Sequence, residues 1–103
     1  MNVTIIAETT VDGLHPVTSQ LVGAANAIGG TSTILCPGGI GATAAASISG
    51  VTKVIGVEGG CFDTFDSGAW AAALNPLVSD GVILAASAPS GREVAAQIAA
   101  MRG

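Results

Sequence analysis

Four short apolar runs, each followed by a polar or glycine-containing segment, divide the chain at regular intervals. They are rich in Val, Ile and Leu and have the length of strands, so they predict buried strands. The predicted strands cover residues 2–7, 31–36, 51–57 and 81–86.

The segments between these strands carry apolar residues at helical spacing. Helices are therefore predicted over residues 16–28, 40–49 and 65–78 and at the end of the chain. Pro76 should kink the third helix or end it early, because proline has no N–H group to donate. The buried stripe of the first helix is predicted to contain Val17, Leu21, Ala24, Ala25 and Ile28.

Strands that alternate with helices form a parallel sheet through right-handed crossovers. The sequence therefore predicts one α/β domain over residues 1–103, a Rossmann-like open parallel sheet of four or more strands with helices on both faces. The expected spatial order is 3-2-1-4, which puts the switch point between strands one and four. Loops 8–15 and 87–90 should then face one another across a crevice.

Composition limits the classes of partner. Hydrophobic residues make up 50% of the chain, but the aromatic ones are two Phe and one Trp, so the core must be built from small aliphatic side chains. We expect marginal stability unless another chain or domain covers part of the surface. Three basic residues against seven acidic ones leave no basic patch, which argues against nucleic acid as a partner.

Membrane insertion and secretion are not predicted either. No stretch approaches the roughly 20 apolar residues of a membrane span, and residues 1–7 lack the features of a signal peptide, so a cytoplasmic protein is expected. Cys36 and Cys61 are then expected to be reduced thiols. Both follow predicted strands at the same end of the sheet, so a disulfide between them is the less favoured alternative.

A glycine-rich segment, residues 39–44, fits the loose dinucleotide pattern GxGxxA. It follows a strand, opens a helix, and has Glu58 at the end of the next strand, an arrangement that could seat a pyrophosphate and a ribose hydroxyl. However, it follows the second strand rather than the first, and Pro37 stiffens its approach. A tight turn with close packing is the favoured interpretation.

Other polar residues do not combine into a catalytic set. His15, immediately before Pro16, is interpreted as a helix-entry residue rather than a metal ligand or base. Asp63 and Asp66 are interpreted as helix-capping carboxylates rather than an acid/base pair. Trp70 is expected in the core or at an interface.

The loop after the fourth strand is the strongest functional candidate. Ser90 and Glu93 have the spacing of a helix capping box. Capping does not explain Arg92, whose charge in the first turn opposes the helix dipole and calls for an acidic partner, either Glu8 or a carboxylate on a neighbouring subunit. The predicted anion or interface loop consists of Glu8, Ser87, Ser90, Gly91 and Arg92.

Several of these segments also carry a family resemblance over the whole chain. They are Ile5-Ile6-Ala7-Glu8, residues 13–18, residues 24–29, residues 50–54 and residues 87–93. In this order and spacing they resemble the N-terminal domain of the electron transfer flavoprotein alpha subunit.

The resemblance implies a scaffold domain that is not an enzyme. In that family the domain packs against the beta subunit, and FAD is held mainly by a separate C-terminal domain. We therefore expect no cofactor on this chain, a beta-type subunit or self-association as the partner, and a chain truncated before the flavin domain.

Two other functions are considered. One is a small nucleotide-binding module for AMP or ATP that uses the loops after strands one and four, since the related beta subunit binds AMP in an equivalent fold. The other is an enzyme that binds a nicotinamide cofactor at the Gly39 loop, and it would need a substrate domain that this sequence does not contain.

Overall fold

The computed structural model describes residues 2–10, 13–78, 81–86 and 89–102, with the backbone alone considered at residues 10, 89 and 90. Its strands, in chain order, are β1 (Asn2–Ile6), β2 (Thr9–Thr10), β3 (Gly13–Leu14), β4 (Thr31–Pro37), β5 (Lys53–Val57) and β6 (Val82–Leu84). The helices are α1 (Val17–Ala27), α2 (Ala42–Ala46), α3 (Ser67–Leu74) and α4 (Pro89–Arg102). Two short 3₁₀ turns, Gly60–Asp63 and Asn75–Leu77, flank α3.

Four of the strands form one parallel sheet in the order β5-β4-β1-β6. In the numbering of the four predicted strands this is the order 3-2-1-4. Strand β1 pairs with β4 along its whole length and with β6 on its other side, where Val3 lies opposite Val82. The chain therefore changes direction across the sheet between β1 and β6, and the predicted α/β, Rossmann-like fold is confirmed.

A small hairpin occupies the predicted loop after β1. Strands β2 and β3 are antiparallel, with Thr9 opposite Leu14. The hairpin returns the chain to the first strand, because the His15 N–H donates to the Glu8 carbonyl at 2.8 Å. The described part of this loop thus has hydrogen bonds of its own.

The predicted stripe of α1 is confirmed at Ala25, which is fully buried, and wrong at Ala24 and Ile28. The helix buries Thr18, Val22 and Ala25, whereas Ala24 is exposed and Ile28 is 51% exposed beyond the helix end. The cause is a polar contact, since the Thr18 hydroxyl exchanges hydrogen bonds of 3.3 and 3.5 Å with the Glu8 backbone and turns that side of the helix inward.

The middle helices are shorter than their patterns predicted. Helix α2 covers Ala42–Ala46 instead of residues 40–49, because the residues before it form a glycine turn. Helix α3 ends at Leu74, and Pro76 lies in the following 3₁₀ turn, as expected for a residue that cannot continue the helix. No helix in the described ranges is long and apolar enough to cross a membrane.

The core has two layers, one on each face of the sheet. The layer under α1 and α2 is aliphatic and contains Val3, Ile5, Val22, Ala25, Ile34 and Cys36. The layer under α3 and α4 adds an aromatic ring and contains Ile6, Leu35, Phe62, Leu74, Val94 and Ile98. These layers are centred on β1 and β4.

The two outer strands are covered less completely than the central ones. Ile5, Ile34 and Leu35 of the central strands are fully buried. By contrast, the apolar side chains of β5 and β6 are only half-buried, and these are Val54, Ile55, Val57, Val82, Ile83 and Leu84.

Candidate crevice at the switch point

A small crevice opens at the carboxyl end of β1, where the chain reverses direction across the sheet. Its volume is about 160 Å³. The residues around it come from the end of β1, the segment before α3, α3 itself and the first turns of α4. They are Ile6, Ala7, Glu8, Thr9, Phe65, Trp70, Gly91 and Val94.

Glu8 supplies the carboxylate of this crevice. Its backbone is fixed by α1, because the Glu8 N–H donates to the Thr18 hydroxyl at 3.3 Å and its carbonyl accepts from His15. The half-buried side chain reaches the first turn of α4, where Oε2 would lie 3.3 Å from a Cβ placed on Gly91. Glu8 thus links the end of β1 to the start of the last helix.

Gly91 is required at this position by close approach. It is buried, and a Cβ there would meet the Ala86 carbonyl oxygen at 3.1 Å in addition to the Glu8 carboxylate. A side chain would push α4 away from the loop after β6 or occupy the crevice. Because residue 91 is a glycine, α4 can lie close to Ala86 and the space beside Glu8 is not occupied by a side chain.

The three aromatic residues of the chain form one cluster, and Phe65 and Trp70 of this cluster line the crevice. Trp70 makes edge-to-face contacts with Phe62 and Phe65, with ring centroids 5.3 and 5.0 Å apart. Its indole N–H donates to the carbonyls of Cys61 and Thr64 at 2.9 and 3.2 Å. Phe65 is 41% exposed, so an aromatic ring remains open to solvent at the crevice.

Sequence reasoning placed Trp70 in the core or an interface and did not include Phe65 or Trp70 in the candidate site. A usable signal was present, because both Phe residues and the single Trp fall between positions 62 and 70. Asp66, within this segment, accepts a hydrogen bond from the Ala69 N–H at 3.1 Å and caps α3, as predicted. Asp63 lies exposed in the preceding 3₁₀ turn.

The residues of the predicted anion or interface loop have different outcomes. Glu8 and Gly91 come together at the crevice. Arg92 is exposed and does not line it, and its proposed carboxylate partner stays a prediction. Ser87 and the Ser90 side chain lie outside the described residues, so the capping box stays a prediction as well.

His15 has the helix-entry role that its position predicted. Its Nδ1 accepts a hydrogen bond from the Val17 N–H at 3.0 Å, and its carbonyl accepts from the Thr18 N–H at 3.0 Å. Within the described ranges, no group of three or more His, Cys, Asp or Glu residues could hold a metal ion.

The glycine turn after β4 packs closely against the hairpin at Gly41. Gly41 has a φ of 77°, and a Cβ there would lie 2.9 Å from the Leu14 Cβ. A Cβ on Gly56 would lie 3.4 Å from the Gly39 Cα, so β5 also approaches the turn closely. Glu58 is exposed. This geometry fits the turn-and-packing interpretation of the GxGxxA pattern.

The crevice at the switch point is smaller than the pockets that hold whole cofactors. Pockets that hold ligands of drug size have volumes of roughly 300–1,000 Å³. The crevice, at about 160 Å³, is smaller than that range.

The two cysteines are both free thiols in different surroundings. Cys36 is fully buried near the end of β4, and burial raises the pKa of its thiol because the thiolate would lose its hydration. Cys61 is exposed in the 3₁₀ turn beside Trp70. Neither forms the disulfide considered as an alternative.

Comparison with known protein families gives one match, and it covers almost the whole chain. The sequence model of the electron transfer flavoprotein domain matches residues 3–103. Comparisons with curated proteins and with solved structures give no match. The extent of the family match shows that this chain belongs to the electron transfer flavoprotein domain family.

Proposed function

We propose that this chain is an alpha-type N-terminal assembly domain of an electron transfer flavoprotein. Members of its family are components of multi-subunit electron transfer complexes rather than catalysts. In this proposal the domain supports electron transfer from dehydrogenases by holding a complex together. The flavin is bound by another domain or subunit, and a beta-type subunit is the partner.

The observation that carries the proposal is the incomplete cover of the outer strands. Aliphatic side chains on both β5 and β6 are only half-buried, whereas the aliphatic side chains of the central strands β1 and β4 are buried. Burying apolar surface contributes about 25 cal/mol per Å², so a partner that covers either edge would gain stability from these residues. Paired or covered sheet edges also avoid nonspecific strand pairing.

The size and charge of the crevice support placing the flavin elsewhere. A volume of about 160 Å³ is too small for FAD, and the Glu8 carboxylate in its wall would repel a phosphate group. The same two features disfavour the AMP or ATP module that the sequence left open. No observation in the described residues favours that second function.

The direct test is co-expression of the chain with an electron transfer flavoprotein beta-type subunit. Size-exclusion chromatography with light scattering should show a complex of the two chains. Ile55→Ser on β5 should raise the dissociation constant about tenfold, because it removes apolar area from the proposed interface. Ile28→Ser is the matched control, since Ile28 is exposed beyond the end of α1 and belongs to neither outer strand.

A second measurement separates assembly from nucleotide binding. A ligand at 100 times its dissociation constant stabilises a protein by about 2.7 kcal/mol. We expect no such gain with AMP, ATP or FAD in thermal unfolding of the chain. A monomeric, stable chain that responds to a nucleotide would overturn the assembly proposal.

A further inference from the structure

Strand β5 forms an open edge of the parallel sheet. It is the outermost strand in the order β5-β4-β1-β6, and among the described strands only β4 pairs with it. Its Val54, Ile55 and Val57 side chains stay half-buried, although they pack against the two core layers. An edge strand of this kind offers backbone N–H and carbonyl groups, together with apolar surface, to a further strand.

The two ends of β5 carry opposite charges. Lys53, the single lysine of the chain, begins the strand and is exposed. Glu58 directly follows the last residue of the strand and is also exposed. The four residues between them are uncharged. Such a strand is complementary to a copy of itself that runs in the opposite direction, because each charged end then lies beside the opposite charge.

We propose that in the free chain β5 pairs with β5 of a second copy, antiparallel and about a two-fold axis. The strand covers Lys53–Val57, so pairing along its whole length places Ile55 opposite Ile55 of the second copy. Lys53 then lies opposite Val57 of the second copy, next to its Glu58. Because Lys53 has a long flexible stem and Glu58 lies beyond the regular strand, the two side chains can reach one another.

The charges also select the direction of pairing. Parallel strands would bring the two Lys53 side chains together at one end and the two Glu58 side chains together at the other. Like charges on neighbouring strands are destabilising, whereas opposite charges stabilise the pair. Antiparallel pairing would join the two four-stranded sheets into one continuous sheet and would cover the half-buried side chains of β5.

This pairing goes beyond the proposed function and does not rest on it. It concerns the chain in the absence of other subunits, when the edge at β5 is open. A beta-type subunit that binds β5 would replace the second copy. Self-pairing and complex formation are therefore measured separately.

Charge reversal in the chain alone provides the test. Size-exclusion chromatography with light scattering, over a range of concentrations, should show a species of twice the monomer mass. Lys53→Glu should raise the dissociation constant of this dimer about tenfold, because both attractive contacts become repulsive. Glu58→Lys should have the same effect. The double variant Lys53→Glu/Glu58→Lys exchanges the charges and should recover most of the original affinity.

A control is needed for the change in net charge. Glu93→Lys is matched to Glu58→Lys, because it alters the net charge equally at an exposed acid on α4. Its dissociation constant should be nearly unchanged. Lys53 and Glu58 are both exposed, so the reversals should leave the fold of each chain intact, and circular dichroism checks this.

Three results would overturn self-pairing at β5. The first is a chain that stays monomeric at every concentration tested. The second is a dimer whose affinity is unchanged in both single variants, since its interface would then lie elsewhere or run parallel. The third is a double variant that remains as weak as the single ones. None of these results would affect complex formation with a beta-type subunit in co-expression, so failures of the two proposals are distinguishable.

Discussion

The loops after β4 and β1 both lie at the carboxyl edge of the sheet. The loop after β4 is called the closed loop because it packs against its neighbours, and the loop after β1 is called the open loop because it borders the crevice. The loop after β4 carries the glycine pattern associated with nucleotides, but it packs closely against Leu14 and lies in contact with Gly56. The loop after β1 carries no such pattern and borders the crevice. The comparison shows that the position of the crevice is determined by the order of the strands rather than by the glycine motif.

The physical reason lies in the direction of the chain on either side of each loop. After β4 the chain continues to the neighbouring strand β5, and the short helix α2 follows the turn and packs against β5 and β3. At β1 and β6 the connecting chains leave in opposite directions, so their loops separate and leave a gap between them.

The largest expected loss of stability is at the closed loop after β4. Gly41→Ala should lower the free energy of unfolding by about 3 kcal/mol, through the left-handed backbone and the added contact with Leu14. Gly39→Ala has a similar φ of 71° but no atom within 4 Å of its Cβ, and should cost only about 1 kcal/mol. Urea unfolding of both variants measures the difference, and equal losses would show that the Leu14 contact does not close this loop.

The second largest loss of stability is expected in the aromatic cluster beside the open loop. Trp70→Leu should lower the free energy of unfolding by about 2 kcal/mol, because it removes two edge-to-face contacts and the indole hydrogen bonds. Phe65→Leu removes one ring that is already partly exposed and should cost less than about 1 kcal/mol. Thermal unfolding followed by circular dichroism tests this order, and a larger loss for Phe65→Leu would contradict the assigned packing.

Periodicity was sufficient to predict the sheet but only part of the helix surface that packs against it. The alternation of apolar runs and helices predicted an α/β fold, and Pro76 ended α3 where its missing N–H required. The stripe of α1 could not be predicted in the same way. Its orientation depends on the hydrogen bonds between Thr18 and the Glu8 backbone, which lie between residues distant in sequence and leave no periodic signal.

The candidate site was predicted only in part, because only some of its residues could be identified from strand order. Glu8 and Gly91 were named because strand order brings the loops after β1 and β6 together. The aromatic wall was missed, because Phe65 and Trp70 precede and open a helix that reaches the crevice only through tertiary packing. Local patterns identify such residues as apolar but carry no information on which loop they will face.

A smaller effect is expected where α3 begins beside the crevice. Asp66→Ala should lower the free energy of unfolding by about 1 kcal/mol, because the Ala69 N–H loses its acceptor. Asp66→Asn keeps a side-chain oxygen and should be nearly neutral. Asp63→Ala is the control, since Asp63 is an exposed acid in the preceding turn and should change stability by less than about 0.5 kcal/mol. Comparable losses at positions 63 and 66 would indicate a general charge effect instead of a cap.

The smallest expected effect is a pH dependence of stability that distinguishes the thiols of Cys36 and Cys61. Burial raises the pKa of Cys36 above its ordinary value of about 8.5. Above that pH the unfolded chain loses the thiol proton while the folded chain keeps it, so the unfolded state binds fewer protons and stability falls as pH rises. Between pH 7 and 9 the loss should be under about 1 kcal/mol, and it should disappear in Cys36→Ala. Cys61→Ala should retain it, because that thiol is exposed. Urea unfolding under reducing conditions measures the loss of stability between pH 7 and 9. If the loss persists in Cys36→Ala, it belongs to another titrating group and not to the Cys36 thiol.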